Sequence, residues 1–346
     1  MRTPGSKPSP PALAVIVPTL DEAGSLPGLL ADLQGPAGHG LALEIVVSDG
    51  GSTDDTVQRA QAAGARVVSG VRGRGAQMNR GAASARAGWL LFLHADTRLP
   101  AGLCLADGLA LMRRATAGGA LVAGHYALRF AREGALFRHL AAKTRSGRPG
   151  TVHGDQGLLI HRRSLERLGG FDATLPFFED LRLDRALRGA GGRWLRLPGV
   201  LETSARRFET EGAAVRLALM ALMVGAEQAG LSEFLHGAPG LYAEQGRAQR
   251  LRLAPFVRDL QQRLAARPAA EQAALWAALG PWLRDQLWQL PHALDALAGD
   301  PPGPALRAYE RWIEPRWRAW PGAAPLAAAS VRLALRLLAL QRPQTA

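Results

Sequence analysis

Short apolar runs separated by short polar breaks recur over the first hundred residues. Ala12 to Val17 is apolar and is stopped by Pro18, and Leu43 to Val47, Ala65 to Ser69 and Trp89 to Leu93 repeat the pattern. Runs of this length read as buried strands. Between them Ser25 to Leu33, Asp55 to Ala63 and Gly75 to Ala87 read as helices, the first with Ser25 as a cap and Pro27 near its first turn. Strand, loop, helix and strand in short succession is the pattern of βαβ units and predicts a parallel sheet. Ligands of such sheets bind beyond the carboxyl ends of the strands, so polar residues placed there are the first candidates for chemistry.

The middle is less regular. Gly124 to Phe130 reads as a strand at the sheet edge, Glu133 to Lys143 as a helix and Thr144 to His153 as a basic, glycine-rich loop. A strand over Gly157 to His161, a helix over Arg163 to Leu168, a Gly169-Gly170 turn, a helix over Asp180 to Arg188 and a strand over Gly192 to Leu197 leading to Pro198 complete it. Beyond Glu209 the character changes. Val215 to Val224 is an apolar helical segment, and from Gly246 the pattern is helical, broken by Pro255, Pro268, Pro281, Pro291 and Pro301-Pro302. Six of the eight Trp lie beyond residue 270, which suits core and interface anchors. The expected division is therefore an α/β domain over 12–240 and a helical region of unassigned role over 241–346.

Composition narrows the classes. Among 346 residues, 47% are hydrophobic and 21% charged, enough for sizeable cores and unlike a disordered chain. The formal net charge of +13 favours phosphate-bearing ligands or anionic lipid and does not by itself indicate nucleic acid, which is not among the expected partners. The single cysteine, Cys104, excludes an intramolecular disulfide framework and a cysteine-rich metal site, and fits a reducing, cytoplasmic setting. Met1 to Pro11 is polar and Pro-rich and lacks a signal's apolar region, and no uninterrupted apolar run reaches the length of a membrane span.

Six polar groupings stand out, most of them at strand ends or in loops and one just before or within the helix that precedes the His94 strand. In Asp49 to Asp54, Gly50 and Gly51 permit close backbone approach, Asp49 can accept hydrogen bonds from a ring or sugar, and Ser52 or Thr53 can cap the next helix; the alternative is a plain capping loop. It lacks the glycine spacing of a dinucleotide fingerprint and the Lys of a phosphate-binding P-loop. His94-Ala95-Asp96 follows an apolar strand, so Asp96 suits Mg²⁺ or Mn²⁺ bridging two phosphates. His94 shares its side if the strand continues, as a ligand contact or a structural histidine. Arg72, Arg74, Gln77 and Asn79 suit a nucleotide or diphosphate, or a solvated helix surface. Asp155 and Gln156, in Gly154-Asp155-Gln156-Gly157, suit acceptor hydroxyls or a simple turn. Glu179 and Asp180 open a helix behind Phe177-Phe178, a place that favours carboxylates for ordinary electrostatic reasons and also suits a general base, for which Asp180 is the choice. Arg206-Arg207 suits a diphosphate leaving group or a solvated pair.

Taken together, Val17-Pro18-Thr19-Leu20-Asp21-Glu22, Val46 to Asp54, Gly73 to Ala82, Leu91 to Asp96, Gly169-Gly170-Phe171-Asp172 and Phe178 to Leu181 resemble a family 2, GT-A type glycosyltransferase over roughly residues 12–240. The narrower resemblance is to the bacterial rSAM/selenodomain-associated transferase 2 subgroup, through His94 to Pro100 and Gly154 to Gly157. The resemblance implies a mixed, mainly parallel sheet flanked by helices and a metal-dependent, inverting enzyme that moves a sugar from a nucleoside-diphosphate donor. Pro18, Thr19 and Glu22 would border the nucleotide, Asp49 would face its base, and Asp96 would match the last carboxylate of the Asp-x-Asp metal motif, whose first position is His94 here. Asp180 would match the catalytic base. Arg74, Gln77, Asn79, His94 and Arg207 are the remaining donor-side candidates, and Asp155, Gln156 and Glu179 the acceptor-side ones.

Two rivals stand beside this reading. A nucleotidyltransferase acting on a sugar phosphate would open with a Gly-rich basic loop after the first strand, where this chain has Pro18 to Glu22. A non-catalytic nucleotide-sugar-binding protein draws its support from His94. The acceptor is open, a lipid-linked one among the options. Ala323 to Leu340 is apolar with Arg332 and Arg336 four residues apart, which fits a core helix with its arginines in solvent, a homo-oligomer contact, or a basic amphipathic helix on the inner face of a membrane.

Overall fold

The computed structural model describes residues 10–245, 251–299 and 301–340. The strands are β1 (Leu13–Thr19), β2 (Leu43–Asp49), β3 (Arg66–Ser69), β4 (Trp89–Phe92), β5 (Val122–Phe130), β6 (Leu158–His161) and β7 (Arg193–Thr203). They form one sheet in the order β3-β2-β1-β4-β6-β5-β7, with β6 antiparallel to both its neighbours and every other pairing parallel. This is the mixed, mainly parallel sheet that the apolar runs and the family resemblance predict.

The helices among these strands are α1 (Leu26–Gln34), α2 (Thr56–Ala62), α3 (Arg74–Ser84), α4 (Leu105–Ala115), α5 (Ala135–Lys143), α6 (Arg162–Arg167) and α7 (Glu179–Gly189). Alternate residues of β1 feed two separate cores, because side chains of a strand alternate in direction. Leu13, Val15 and Val17 pack with Leu26, Leu29 and Leu30 of α1 and Leu105, Leu109 and Met112 of α4. Ala14 and Ile16 pack on the other side with Met78 and Ala82 of α3 and Leu183 and Leu187 of α7. Gly81 permits the approach of α3, since a Cβ there would collide with Ile16.

Several local expectations change. The strand over Gly124 to Phe130 is not at the edge: β5 lies between β6 and β7. Nor does β7 stop at Pro198. Pairing moves from His125 with Arg196 to Ala127 with Val200, so Leu197, Pro198 and Gly199 bulge opposite Tyr126. Pro is tolerated because β7 is an edge strand, and Gly199 adopts φ +99. Ser25 precedes α1 but its side chain makes no cap bond. Neither Ser52 nor Thr53 caps α2; Oδ1 of Asp54 instead accepts the N–H of Thr56 at 3.0 Å.

The chain packs as two compact units. The first holds residues up to 131, 141–174 and 179–204, and the second 132–140, 175–178 and 205 onward. The expected division at residue 240 falls inside a helix of the second unit. That unit contains α8 (Arg206–Glu211), α9 (Ala213–Gln228), α10 (Ser232–Glu244), α11 (Ala254–Ala265), α12 (Ala269–Arg284), α13 (Gln289–Ala298), α14 (Pro304–Ala308), α15 (Glu314–Ala319) and α16 (Ala323–Leu340), with a π-helical turn over Tyr309–Ile313. Leu219 and Met223, Phe234 and Leu235, and Phe256 and Leu260 form its core. Pro255 and Pro291 sit in the first turns of α11 and α13 and Pro268 at the cap of α12, as breakers do, but Pro281 lies within α12 without ending it. Trp288 is buried, whereas Trp312 and Trp320 are half exposed and do not act as core anchors.

Candidate active site

The parallel strands β1, β2 and β4 deliver their following loops to one edge of the sheet. β1 and β2 end level, Thr19 beside Asp49. The loops after them are laced together. The N–H of Asp21 donates to the Ser52 hydroxyl at 2.9 Å, that of Thr53 to Oδ1 of Asp21 at 2.8 Å, that of Glu22 to the Thr56 hydroxyl at 2.8 Å and that of Ala23 to Asp54 at 3.0 Å. Asp21 adopts φ +53, a left-handed conformation that these bonds hold in place. Pro18, Thr19 and Glu22 thus border a preformed loop pair.

Asp49 is 2% exposed. Its Oδ1 accepts from the hydroxyls of Thr19 at 3.2 Å and Ser52 at 2.5 Å, and its Oδ2 from the N–H groups of Gly51 at 2.8 Å and Ser52 at 2.9 Å. The carboxylate organises the loop from beneath. Gln77 likewise faces inward: its Nε2 donates to the carbonyls of Thr19 at 2.7 Å and Ser48 at 3.0 Å, tying β1 to β2, and its Oε1 accepts from the N–H of Gly73 at 3.2 Å. Gly50 lies directly against this amide, where a Cβ would come within 3.0 Å. Asn79 clamps Phe171 by exchanging bonds of 2.8 and 2.9 Å with its main chain. Both amides, expected to touch the donor, are braces of the fold. Arg80, which the sequence pattern did not single out, donates to the carbonyl of Asp49 at 2.7 Å.

β4 ends at Phe92, so alternation does not orient His94 and Asp96. They sit in a turn closed by the N–H of Thr97 and the carbonyl of His94 at 3.1 Å. Opposite lies the segment before β6. The N–H of Gly154 donates to Oδ2 of Asp180 at 2.7 Å, and Nδ1 of His153 stands 4.0 Å from the same oxygen. The other oxygen of Asp180 accepts the N–H of Leu181 at 2.8 Å. A Cβ on Gly154 would lie 3.2 Å from Nε2 of His94 and 3.6 Å from Asp180. These groups line the mouth of a pocket whose walls include Met78, Phe92, Phe171 and Trp194. The proximity of His153 and of the Gly154 N–H to Asp180 was not read from the chain, although Gly154 opens the quoted Gly154 to Gly157 segment and His153 precedes it.

Asp155 completes the cluster. Burial pushes its carboxyl pKa up, and the neighbouring charges of Asp180 and Asp96 add to this, while His153 and Arg74 pull it down. Its Oδ1 is buried without a hydrogen-bond partner. The charges of Asp96 and Asp180 thus both act on Asp155. Gln156 is fully buried and donates to the carbonyl of Thr151 at 2.7 Å, an interior role and not one at an acceptor surface. Glu179, 2% exposed, pairs with Arg74 at 3.4 Å, which joins the first turns of α7 and α3. The pair occupies two side chains expected on opposite substrates. Arg72 is exposed. Arg207 lies on α8 in the second unit, where its charge acts on Tyr242.

Among the described residues, no three His, Cys, Asp or Glu side chains are placed to hold a metal by themselves. Mg²⁺ and similar ions usually take one or two carboxylates together with substrate phosphates. Asp96 and the unpartnered oxygen of Asp155 fit that pattern.

Residues 14–162 match the model of Glycosyl transferase family 2. A curated relative, glucosyl-3-phosphoglycerate synthase of Mycolicibacterium paratuberculosis (strain ATCC BAA-968 / K-10), is 39% identical over 93 residues, which cover 24% of this chain and 28% of the relative. The chain thus matches little more than a quarter of that relative's length. Among solved structures, a mannosyltransferase from Pyrobaculum calidifontis in complex with GDP-Man and Mn²⁺ is 21% identical, with 94% of this chain and 88% of that one covered and a TM-score of 0.45. Glucosyl-3-phosphoglycerate synthase from Mycobacterium tuberculosis in complex with phosphoglyceric acid is 24% identical, with 56% and 70% covered and a TM-score of 0.39.

Proposed function

We propose that this chain, whose residues 14–162 match the family 2 glycosyltransferase model, transfers a sugar with inversion from a nucleoside-diphosphate donor to an acceptor hydroxyl. The observation that carries the reading is the Asp180 carboxylate held by the N–H of Gly154, one residue before the buried, unpartnered Oδ1 of Asp155, on which the charges of Asp96 and Asp180 both act. A phosphate-rich donor with a divalent ion gives such a carboxylate group a purpose that a structural site does not need.

The loop pair after β1 and β2, bordered by Pro18, Thr19 and Glu22, receives the nucleotide. Asp49 acts by holding that loop in shape. Asp96 and Asp155 would hold Mn²⁺ or Mg²⁺, which supplies neutralisation of the charge that grows on a departing diphosphate. Asp180, with its carboxylate fixed by two main-chain N–H groups, accepts the proton of the acceptor hydroxyl. The acceptor oxygen then bonds to the anomeric carbon as the bond from that carbon to the diphosphate oxygen breaks, the electron pair leaving with the diphosphate. A single base suffices, because the diphosphate leaves without protonation. Hydrolases need a second carboxylate as acid for a poorer leaving group.

The test is calorimetric titration of UDP and GDP with and without Mn²⁺, followed by a screen of nucleotide sugars for slow donor hydrolysis. Nucleotide binding that strengthens with Mn²⁺ in the wild type and loses this gain in Asp96→Ala is the expected result. Absence of nucleotide binding with and without metal contradicts the proposal.

A further inference from the structure

We propose that the outward face of α16 docks on an anionic lipid bilayer, lying in its headgroup layer. The helix is apolar on two opposite sides. Ala323 and Ala328 are buried and Leu335 packs into the core of the second unit. This inward side is held by the amide of Gln261 donating to the carbonyl of Leu335 at 2.7 Å, and by Gly280 of α12, where a Cβ would lie 2.8 Å from the carbonyl of Ala324. On the far side Leu326, Leu333 and Leu337 are 48%, 56% and 56% exposed. Their spacing of seven and four residues puts them within an arc of about 40° on a helix that turns 100° per residue.

The charges beside that stripe select the occupant. Arg332 and Arg336 are exposed and stand one turn apart on one flank of it. From Ala323 to Leu340 there is no acidic residue. A second copy of the chain pairing through this helix would set arginine against arginine with no carboxylate on the helix to compensate. An anionic surface neutralises both, while the long arginine stems let the leucines enter the acyl boundary. Trp320, half exposed just before the helix, is the residue type that settles at a headgroup layer. Insertion stays shallow, because among the described residues no helix is long and apolar enough to cross a membrane. The inference stands apart from sugar transfer and does not need it.

The experiment is co-sedimentation of the full chain with vesicles of phosphatidylcholine alone or mixed with phosphatidylglycerol, at low and high salt. Partitioning onto the anionic vesicles at least tenfold stronger than onto neutral ones, and weakened by salt, is expected. Leu333→Ser with Leu337→Ser lowers it at least tenfold while the circular dichroism melt is retained. Arg332→Ala with Arg336→Ala lowers it roughly fivefold per arginine and reads the proposal even where the leucine variant misfolds. Equal or absent binding to the two vesicle types overturns the proposal. So does binding that neither pair of substitutions weakens, or a wild-type dimer that the leucine variant converts to monomers without any vesicle binding.

Discussion

Oδ2 of Asp180 accepts the main-chain N–H of Gly154 at 2.7 Å, so the segment before β6 and the first turn of α7 aim one carboxylate together. The second oxygen is held by Leu181. This fixed orientation suits a group that must meet an incoming hydroxyl in one geometry. Asp180→Asn is expected to lower the transfer rate by about 10²–10⁴-fold, the range for loss of a general base, while nucleotide affinity changes little. Rate measurements alongside calorimetry check this; a variant that still transfers at the wild-type rate removes Asp180 as the base.

Asp49 carries a pH dependence of known sign. Burial pushes its carboxyl up, but the Ser52 hydroxyl, the N–H groups of Ser52 and Gly51 and the Thr19 hydroxyl outweigh this and leave it below the ordinary aspartate range. A carboxyl lowered on folding contributes stability above its unfolded pKa and loses it as pH falls through the folded value. Asp49→Asn should therefore destabilise the chain at neutral pH by about 1–2 kcal/mol. The difference from wild type should shrink as pH falls below the ordinary aspartate range. Urea melts at both pH values would show it, and a constant difference would contradict the assignment.

The Arg74–Glu179 pair is unequal: Glu179 is buried and Arg74 is 43% exposed in its side chain. Burial pushes the Glu179 carboxyl up, Arg74 opposes this and Asp180 reinforces it. Removing the arginine leaves a buried carboxylate without its cation. Solvent screening of the exposed partner trims the usual cost to about 1–3 kcal/mol. A carboxyl raised on folding loses stability as pH rises through its folded value. The penalty of Arg74→Ala should therefore grow from mildly acidic to mildly alkaline pH, and a flat profile by denaturant titration would count against the pair.

Asp155 carries a cost by itself and, in the proposed function, a use. Asp155→Asn removes a charge facing Asp96 and Asp180 and is expected to stabilise the metal-free protein by about 1 kcal/mol, a rise in Tm of about 2–4 °C. The same change should weaken the Mn²⁺-dependent gain in nucleotide binding at least tenfold. Thermal melts and calorimetry on one preparation separate the two effects; a lower Tm with unchanged metal response would reverse the interpretation.

Strand positions along β1, β2 and β4 were legible because each is a short apolar run buried in the sheet, and the polar residues that follow such runs collect at one edge; β3, half exposed at the sheet edge, was legible from Val67-Val68. The roles of Gln77 and Asn79 were not legible. An amide looks the same in sequence whether it faces a ligand or a carbonyl, and here the partners, Thr19, Ser48 and Phe171, lie 29 to 92 residues away. The Arg74–Glu179 pair, separated by 105 residues, was hidden for the same reason. Pro198 misled because a proline ends an interior strand but not an edge strand, and strand order is not written in a local pattern.

Sequence alone determined the alternation of strands and helices, the edge where chemistry belongs and the identity of Asp96 and Asp180 as its candidates, since periodicity and turn chemistry act between near neighbours. Only the tertiary structure decided which polar side chains are consumed in bracing that edge and which are not. It brought His153 and Gly154 to Asp180 across distant segments, and it left one side of α16 uncovered. Each of those outcomes depends on what packs against a residue from elsewhere in the chain, which no local pattern specifies.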